Sequence, residues 1–332
     1  MEVKDYDLVI EGGGVKGIAL AGAVVELERN GYRPKNVAGT SAGAIIAAML
    51  AAGYTGEEIK TEIKNIEYRR FMGEDLIDKF GALGKGISLF HSYGIYNCNY
   101  IEELIGALLA RKGKMVFGDL PKWTPNGQCC GCSRLYNLCV TATDLTTGRL
   151  LVLPDDLTEF GIDPAGFPIS TAVKISISFP LFFEPFKLTD TEGRAHYLVD
   201  GGMLSNYPAF ILDDGRTELS RPVIGVRFLD ENCVSNNCPE KDSFIEYMKS
   251  MVATLTEFHD GVYVERTPGD TARTVFVSPA VNGKAMKTMN FNIKQTEADI
   301  LFANGVAAAE KFLQTFTFCD WWGKYRTENK SN

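Results

Sequence analysis

Two copies of one pattern fill the first 55 residues: a short apolar run, a glycine-containing turn and a helix-forming stretch. The first copy is Asp7-Leu8-Val9-Ile10, then Gly12-Gly13-Gly14, then Val15 to Arg29, where Ile18, Leu20, Ala21, Val24, Val25 and Leu27 recur at helical spacing. The second is Asn36-Val37-Ala38, then Gly39-Thr40-Ser41-Ala42-Gly43, then an Ala/Ile/Met-rich run to Ala52 that Gly53 stops. A strand joined through a tight turn to a helix, twice in succession, argues for a mostly parallel sheet with helices on its faces. The nearly all-apolar second helix predicts burial on more than one side.

Downstream, spacing predicts helices over 56–70, 100–111, 170–176, 241–259 and 295–316, and strands over 135–144, 197–199, 223–229 and 274–277, with 149–153 a hairpin partner of the first. Residues 71–97 are rich in glycine and aromatics with weak periodicity, and read as a long loop or lid. No repeat, linker or charge block divides the chain, so one α/β domain over 1–322 with a polar tail over 323–332 is expected. At 332 residues, 45% of them hydrophobic, the chain can bury a substantial core. The formal charge of −8 gives no global attraction to phosphate backbones or anionic lipid, so nucleic acid is not an expected partner and any membrane contact is apolar or local.

The N-terminus lacks the basic region and long apolar stretch of a secretory signal, and the longest apolar run, Ala42 to Ala52, falls short of the roughly 18 residues a membrane span needs. A cytoplasmic protein, peripheral to membranes at most, is expected. Cys129, Cys130 and Cys132, with Cys139 nearby and Cys98 upstream, fit the paired Cys-x-x-Cys spacing of a zinc site poorly; reduced thiols, no metal and no cofactor are expected.

Three segments can carry chemistry. Gly12-Gly13-Gly14-Val15-Lys16-Gly17 has glycine at the first, third and sixth positions, as in a dinucleotide fingerprint, but the second strand ends in Val37-Ala38-Gly39-Thr40-Ser41 instead of the acidic residue that would bind ribose. The phosphate-binding loop pattern fails too, because Ile18 follows Gly17. What remains is a glycine turn whose N–H groups can cradle an anion, whether a phosphate or a transient oxyanion, or a turn needed only for packing. Gly39-Thr40-Ser41-Ala42-Gly43 fits Gly-x-Ser-x-Gly between a strand and a helix, so Ser41 is either an exposed nucleophile or an ordinary helix cap. Asp200 ends the apolar run Tyr197-Leu198-Val199 and precedes Gly201-Gly202, as a base at a sheet edge or as an Asp-Gly turn. The three histidines, His91, His196 and His259, are poorly placed to serve Ser41: an α/β-hydrolase nucleophile follows several core strands, and residue 41 comes too early.

Taken in order, Gly12 to Gly17, Gly39 to Gly43 and Asp200-Gly201-Gly202 resemble the oxyanion loop, nucleophile elbow and aspartate of the patatin-like phospholipases. The resemblance continues through Ala142 to Gly148, Phe179 to Pro185 and Gly202 to Pro208, and covers about residues 5 to 230. It implies a three-layer α/β/α fold with a mostly parallel central sheet, and a Ser-Asp dyad that needs no histidine. Ser41 is then the nucleophile, Asp200 the base, and Gly12, Gly13, Gly14, Val15, Lys16 and Gly17 the oxyanion loop, with Gly39, Gly43, Gly201 and Gly202 shaping the turns. Several bacterial members carry Arg where this chain has Lys16, which keeps the charge and changes its geometry. The implied activity is phospholipase A or lysophospholipase chemistry on a phospholipid or lysophospholipid, with transient contact to a membrane surface. A regulated lid would keep the protein silent until an activating partner or ligand opened it. The alternatives are an acyltransferase using the same serine and a silent nucleotide- or partner-binding module.

Overall fold

The computed structural model describes residues 3–72, 93–94, 96–127, 134–213, 219–229 and 269–327. Strand β1 (Lys4–Ile10) leads through a short turn into helix α1 (Gly17–Arg29), and β2 (Tyr32–Gly39) leads through Thr40 and Ser41 into α2 (Ala42–Ala51). Both strand–turn–helix units expected from the sequence are therefore present. Helix α3 (Gly56–Lys64) starts on a capping box made by Thr55 and Glu58. The expected helix over 56–70 stops early: Asn65 caps α3, and Tyr68–Met72 form a separate 3-10 turn. That break lets Ile66, Tyr68 and Phe71 face the cavity described below.

Helix α4 (Asn99–Arg111) precedes strand β3 (Leu138–Asp144) and its hairpin partner β4 (Arg149–Leu153). Helix α5 (Ile169–Ile177), strands β5 (Phe186–Thr189) and β6 (Ala195–Asp200), β7 (Val223–Phe228) and β8 (Thr274–Val277), a two-residue hairpin at 280–285 and helices α6 (Gln295–Leu313) and α7 (Phe318–Trp322) complete the described elements. Strand β5 has no counterpart in the sequence reading. The expected helix over 241–259 and most of the expected lid over 71–97 lie outside the described residues, as do His91, His259, Cys129, Cys130 and Cys132.

The strands form one sheet in the order β5-β6-β3-β2-β1-β7-β8, with β4 also on β3. Pairs from β3 through β2 and β1 to β7 and β8 are parallel, and β4, β5 and β6 join antiparallel. Helices α1 and α6 pack on each other and on β8, while α2 and α5 cover β2, β3 and β6, which gives the three α/β/α layers. Beyond Trp322 the expected polar tail does not begin at once: Gly323–Thr327 make one more turn, and the Arg326 guanidinium pairs with the buried Asp213 carboxylate. No described helix is long and apolar enough to cross a membrane.

The register of β3 decides what meets what. Its first part pairs with the end of β2, Gly39 opposite Val140. Strand β3 then runs on past the end of β2, and β6 returns along the projecting part until Asp200 stands opposite Ala142. The last residue of β6 thus arrives beside the turn that follows β2.

Candidate active site

Strand β1 lies between β2 and β7, so connections leave it in both directions, and the crevice beyond the carboxyl ends of β1 and β2 is a switch point of the sheet. A cavity of about 400 Å³ opens there. Its walls include Gly12, Gly13, Gly14, Ser41, Ala42 and Asp200, so three segments far apart in the chain share one space.

Ser41 occupies the sharp turn between β2 and α2 with φ +52° and ψ −123°. A side chain rarely adopts positive φ, and holding one there costs about 1–3 kcal/mol, which the surroundings must offset. Gly43 makes the turn possible: a Cβ there would collide with the Ile10 and Glu11 carbonyls of the neighbouring strand end. A Cβ on Gly39 would meet the Gly43 backbone in the same way. The Ser41 side chain makes no helix-cap hydrogen bond, so the capping alternative lacks its defining contact.

The end of helix α5 supports both candidate residues. Ser176 Oγ accepts the Ser41 N–H at 2.9 Å, and the Ser178 carbonyl accepts the Asp200 N–H at 3.0 Å. Ser176→Ala is expected to lower stability by about 1–3 kcal/mol, because the buried Ser41 N–H loses its only acceptor among the described residues. Urea unfolding checks this; an unchanged midpoint would show that the turn finds another partner.

Asp200 is 4% exposed. Its carboxylate accepts the Gly202 N–H at 2.8 Å, and both that bond and the neighbouring Ser41 side chain favour its charged form. Burial outweighs both and pushes its pKa up to about 7. A carboxyl group poised there can take a proton near neutral pH, which an ordinary surface aspartate does poorly.

The glycine loop offers fewer donors than its six residues suggest. Gly12 N–H donates to the Asn206 carbonyl at 3.0 Å, Val15 N–H to the Thr288 carbonyl at 3.0 Å and Lys16 N–H to the Gly13 carbonyl at 3.2 Å. Gly17 N–H closes the turn onto Gly14 and Val15. Among the described residues this leaves the N–H groups of Gly13 and Gly14 without a partner, and both residues line the cavity. Gly14 has φ +56°, a conformation glycine adopts without strain. The Ala42 N–H, first in α2, is likewise unpartnered among the described residues and lines the same cavity.

Beyond the polar end, the cavity wall is apolar: Ile45, Ile46, Ile63, Phe71, Phe179 and Phe183 contribute, joined by Met289 and Phe291 from the last third of the chain. At the polar end the Lys16 Nζ sits 4.7 Å from the Phe228 ring centre, and Arg227 is 3.6 Å from Glu11. The space is amphipathic, with Ser41 and Asp200 at one end and hydrocarbon-compatible walls at the other.

His196 belongs elsewhere. Its two ring nitrogens lie 2.8 Å from Asp144 and 3.2 Å from Asp190, and the Phe160 ring packs edge-on against it. The bond to Asp144 holds its pKa above the ordinary value. The stabilisation is therefore fully present below pH about 6.5 and fades as pH rises through the folded-state value. His196→Ala is expected to lower the melting temperature more at pH 6 than at pH 8, while ester hydrolysis stays within about tenfold, well below the effect of losing a general base. A Tm loss independent of pH would contradict the charged pairing. Among the described residues, no group of three or more His, Cys, Asp and Glu side chains could hold a metal ion.

Several contributors escaped the sequence reading: Ser176, Asn206, Thr288 and Ala42. Asn206 lay within the Gly202 to Pro208 segment already singled out, whereas Thr288 had no signal, because it acts through its main-chain carbonyl.

The family model for patatin-like phospholipase matches residues 8–213. The uncharacterized protein YqhO of Bacillus subtilis (strain 168) is 38% identical over 319 residues, covering 94% of this chain and 99% of that protein. The uncharacterized protein R571 of Acanthamoeba polyphaga mimivirus is 24% identical over 316 residues, 92% of each chain. Among solved structures, VipD from Legionella pneumophila superposes with a TM-score of 0.52 at 16% identity, over 95% of this chain and 67% of that one, which shows a shared fold.

Proposed function

The chain belongs to the patatin-like phospholipase family, and we propose that it is a lipid acyl hydrolase of the phospholipase A or lysophospholipase type that works through a Ser41–Asp200 dyad. Family membership supports hydrolysis of lipid esters. The observation that carries the finer reading is Ser41, on a positive-φ turn, sharing one cavity with the buried Asp200 carboxylate, whose pKa burial pushes up to about 7.

In this reading Asp200 accepts the Ser41 proton as Oγ attacks the ester carbonyl, and the carbonyl electron pair moves onto oxygen. Gly13 and Gly14 N–H groups, the loop donors left without a partner among the described residues, hold that oxyanion. The tetrahedral species collapses, Asp200 returns the proton to the departing alcohol, and Ser41 keeps the acyl group. Water, deprotonated by Asp200, then attacks the acyl-enzyme, and Asp200 returns that proton to Ser41 Oγ as the acyl C–O bond breaks and the fatty acid leaves. The acyl chain lies along the wall formed by Ile45, Ile46, Phe71 and Phe183. Neither step needs a metal or a histidine.

The test is incubation with phosphatidylcholine and lysophosphatidylcholine in ¹⁸O-labelled water. One ¹⁸O in each released fatty acid is expected from acyl-enzyme hydrolysis. Acyl transfer to an added alcohol in preference to water would favour an acyltransferase instead.

A further inference from the structure

The segment Gly202 to Pro208 carries part of the family resemblance, yet the mechanism above uses no side chain within it. Asn206 makes two bonds to a single residue of the opposite loop. Its main-chain carbonyl accepts the Gly12 N–H at 3.0 Å, and its side-chain amide donates to the Gly12 carbonyl at 3.1 Å.

The second bond has a directional consequence. A trans peptide is planar, with its C=O and N–H pointing opposite ways. Holding the Gly12 carbonyl against Asn206 therefore turns the N–H of the same peptide, that of Gly13, away from Asn206. The Gly13 N–H is one of the two loop donors left unpartnered among the described residues. A peptide between two glycines can rotate with little steric resistance, so its orientation needs an external restraint.

Asn206 is itself anchored. Leu204 and Ser205 N–H groups both donate to the Gly201 carbonyl, folding the turn that follows Asp200. The Thr40 hydroxyl, from the residue before Ser41, donates to the Ser205 carbonyl at 3.1 Å and lies 2.6 Å from the Thr141 hydroxyl on β3. The turns carrying Ser41 and Asp200 are thus bonded to each other, and Asn206 bonds both to the glycine loop.

We propose that Asn206 is a positioning residue that aims the Gly13 N–H at the oxyanion by fixing the Gly12–Gly13 peptide. The proposal rests on the hydrolase reading for its catalytic meaning, and on the hydrogen bonds alone for its structural part.

Two variants test it. Asn206→Asp keeps the shape and the main-chain bond but removes the donor; Asn206→Ala removes the side-chain contact altogether. Both are expected to lose about 10²- to 10³-fold in kcat/KM, the effect of one misplaced oxyanion donor. Affinity for an acyl trifluoromethyl ketone, whose adduct with Ser41 carries an oxyanion, falls in parallel, while affinity for the unreactive ether analogue of the lipid is little changed. Equal weakening toward both compounds, as from general loosening, or full activity in both variants, overturns the proposal. A crystal structure of Asn206→Ala gives a readout independent of turnover. The Gly12–Gly13 peptide is expected rotated or in two orientations, and a single unchanged orientation also overturns the proposal. If the unaltered protein hydrolyses no acyl ester, the hydrolase reading fails, and the peptide orientation still decides whether Asn206 restrains the loop.

Discussion

Ser41→Ala is expected to lower hydrolysis of acyl esters by at least about 10⁴-fold, because the residual rate without a nucleophile comes only from binding and the oxyanion donors. The fold survives, since the lost hydroxyl makes no cap and no bond that holds the backbone. Alanine inherits the positive φ of position 41, so the strain of the turn persists in that variant. Ser41→Gly is equally inactive but relieves the strain, and is expected to be more stable than Ser41→Ala by about 1 kcal/mol. Steady-state rates with paired urea titrations check both statements. Wild-type turnover in either variant would mean that Ser41 only shapes the turn.

Asp200→Asn carries the second large effect. The amide keeps the size of the carboxylate and can accept a hydrogen bond, but it cannot take the Ser41 proton, and a loss of about 10²- to 10⁴-fold is expected. In the unaltered protein, activity falls on acidification as Asp200 protonates, with a midpoint governed by its value of about 7. Stability moves the opposite way. Burial makes the folded state hold the Asp200 proton more tightly than the unfolded chain does, so the unaltered protein loses stability as pH rises from about 4 to about 7 and reaches a plateau above. The asparagine variant escapes that penalty. It is expected to be the more stable protein at pH 8, by on the order of a few kcal/mol, and to lose that advantage near pH 4. A variant that is less stable at pH 8 would contradict the buried, strained state of the carboxylate.

The strand–turn–helix units were legible because their signals are local: apolar spacing, glycine turns and an uninterrupted apolar helix all sit within about twenty residues of one another. The same locality exposed Ser41 and Asp200 as candidates, each at a strand end beside glycine. The meeting of those two residues followed only from the family resemblance and not from local spacing, because it depends on β3 outrunning β2 and on β6 returning antiparallel along the projecting end. The donor pattern of the glycine loop was hidden for a related reason. Val15 is silenced by a carbonyl from residue 288, a bond to which the Thr288 side chain contributes nothing. The early end of α3 was obscured because Ile66 and Tyr68 continue an apolar pattern; they line a cavity instead of extending the helix.

The central claim, that Ser41 is a nucleophile activated by Asp200, is tested most directly by a fluorophosphonate probe followed by intact-mass and peptide-mass analysis. One adduct per chain, mapped to the peptide containing Ser41, absent in Ser41→Ala and formed at least about 10²-fold more slowly in Asp200→Asn, is the expected result. An unlabelled protein, or an adduct on any other residue, would contradict it.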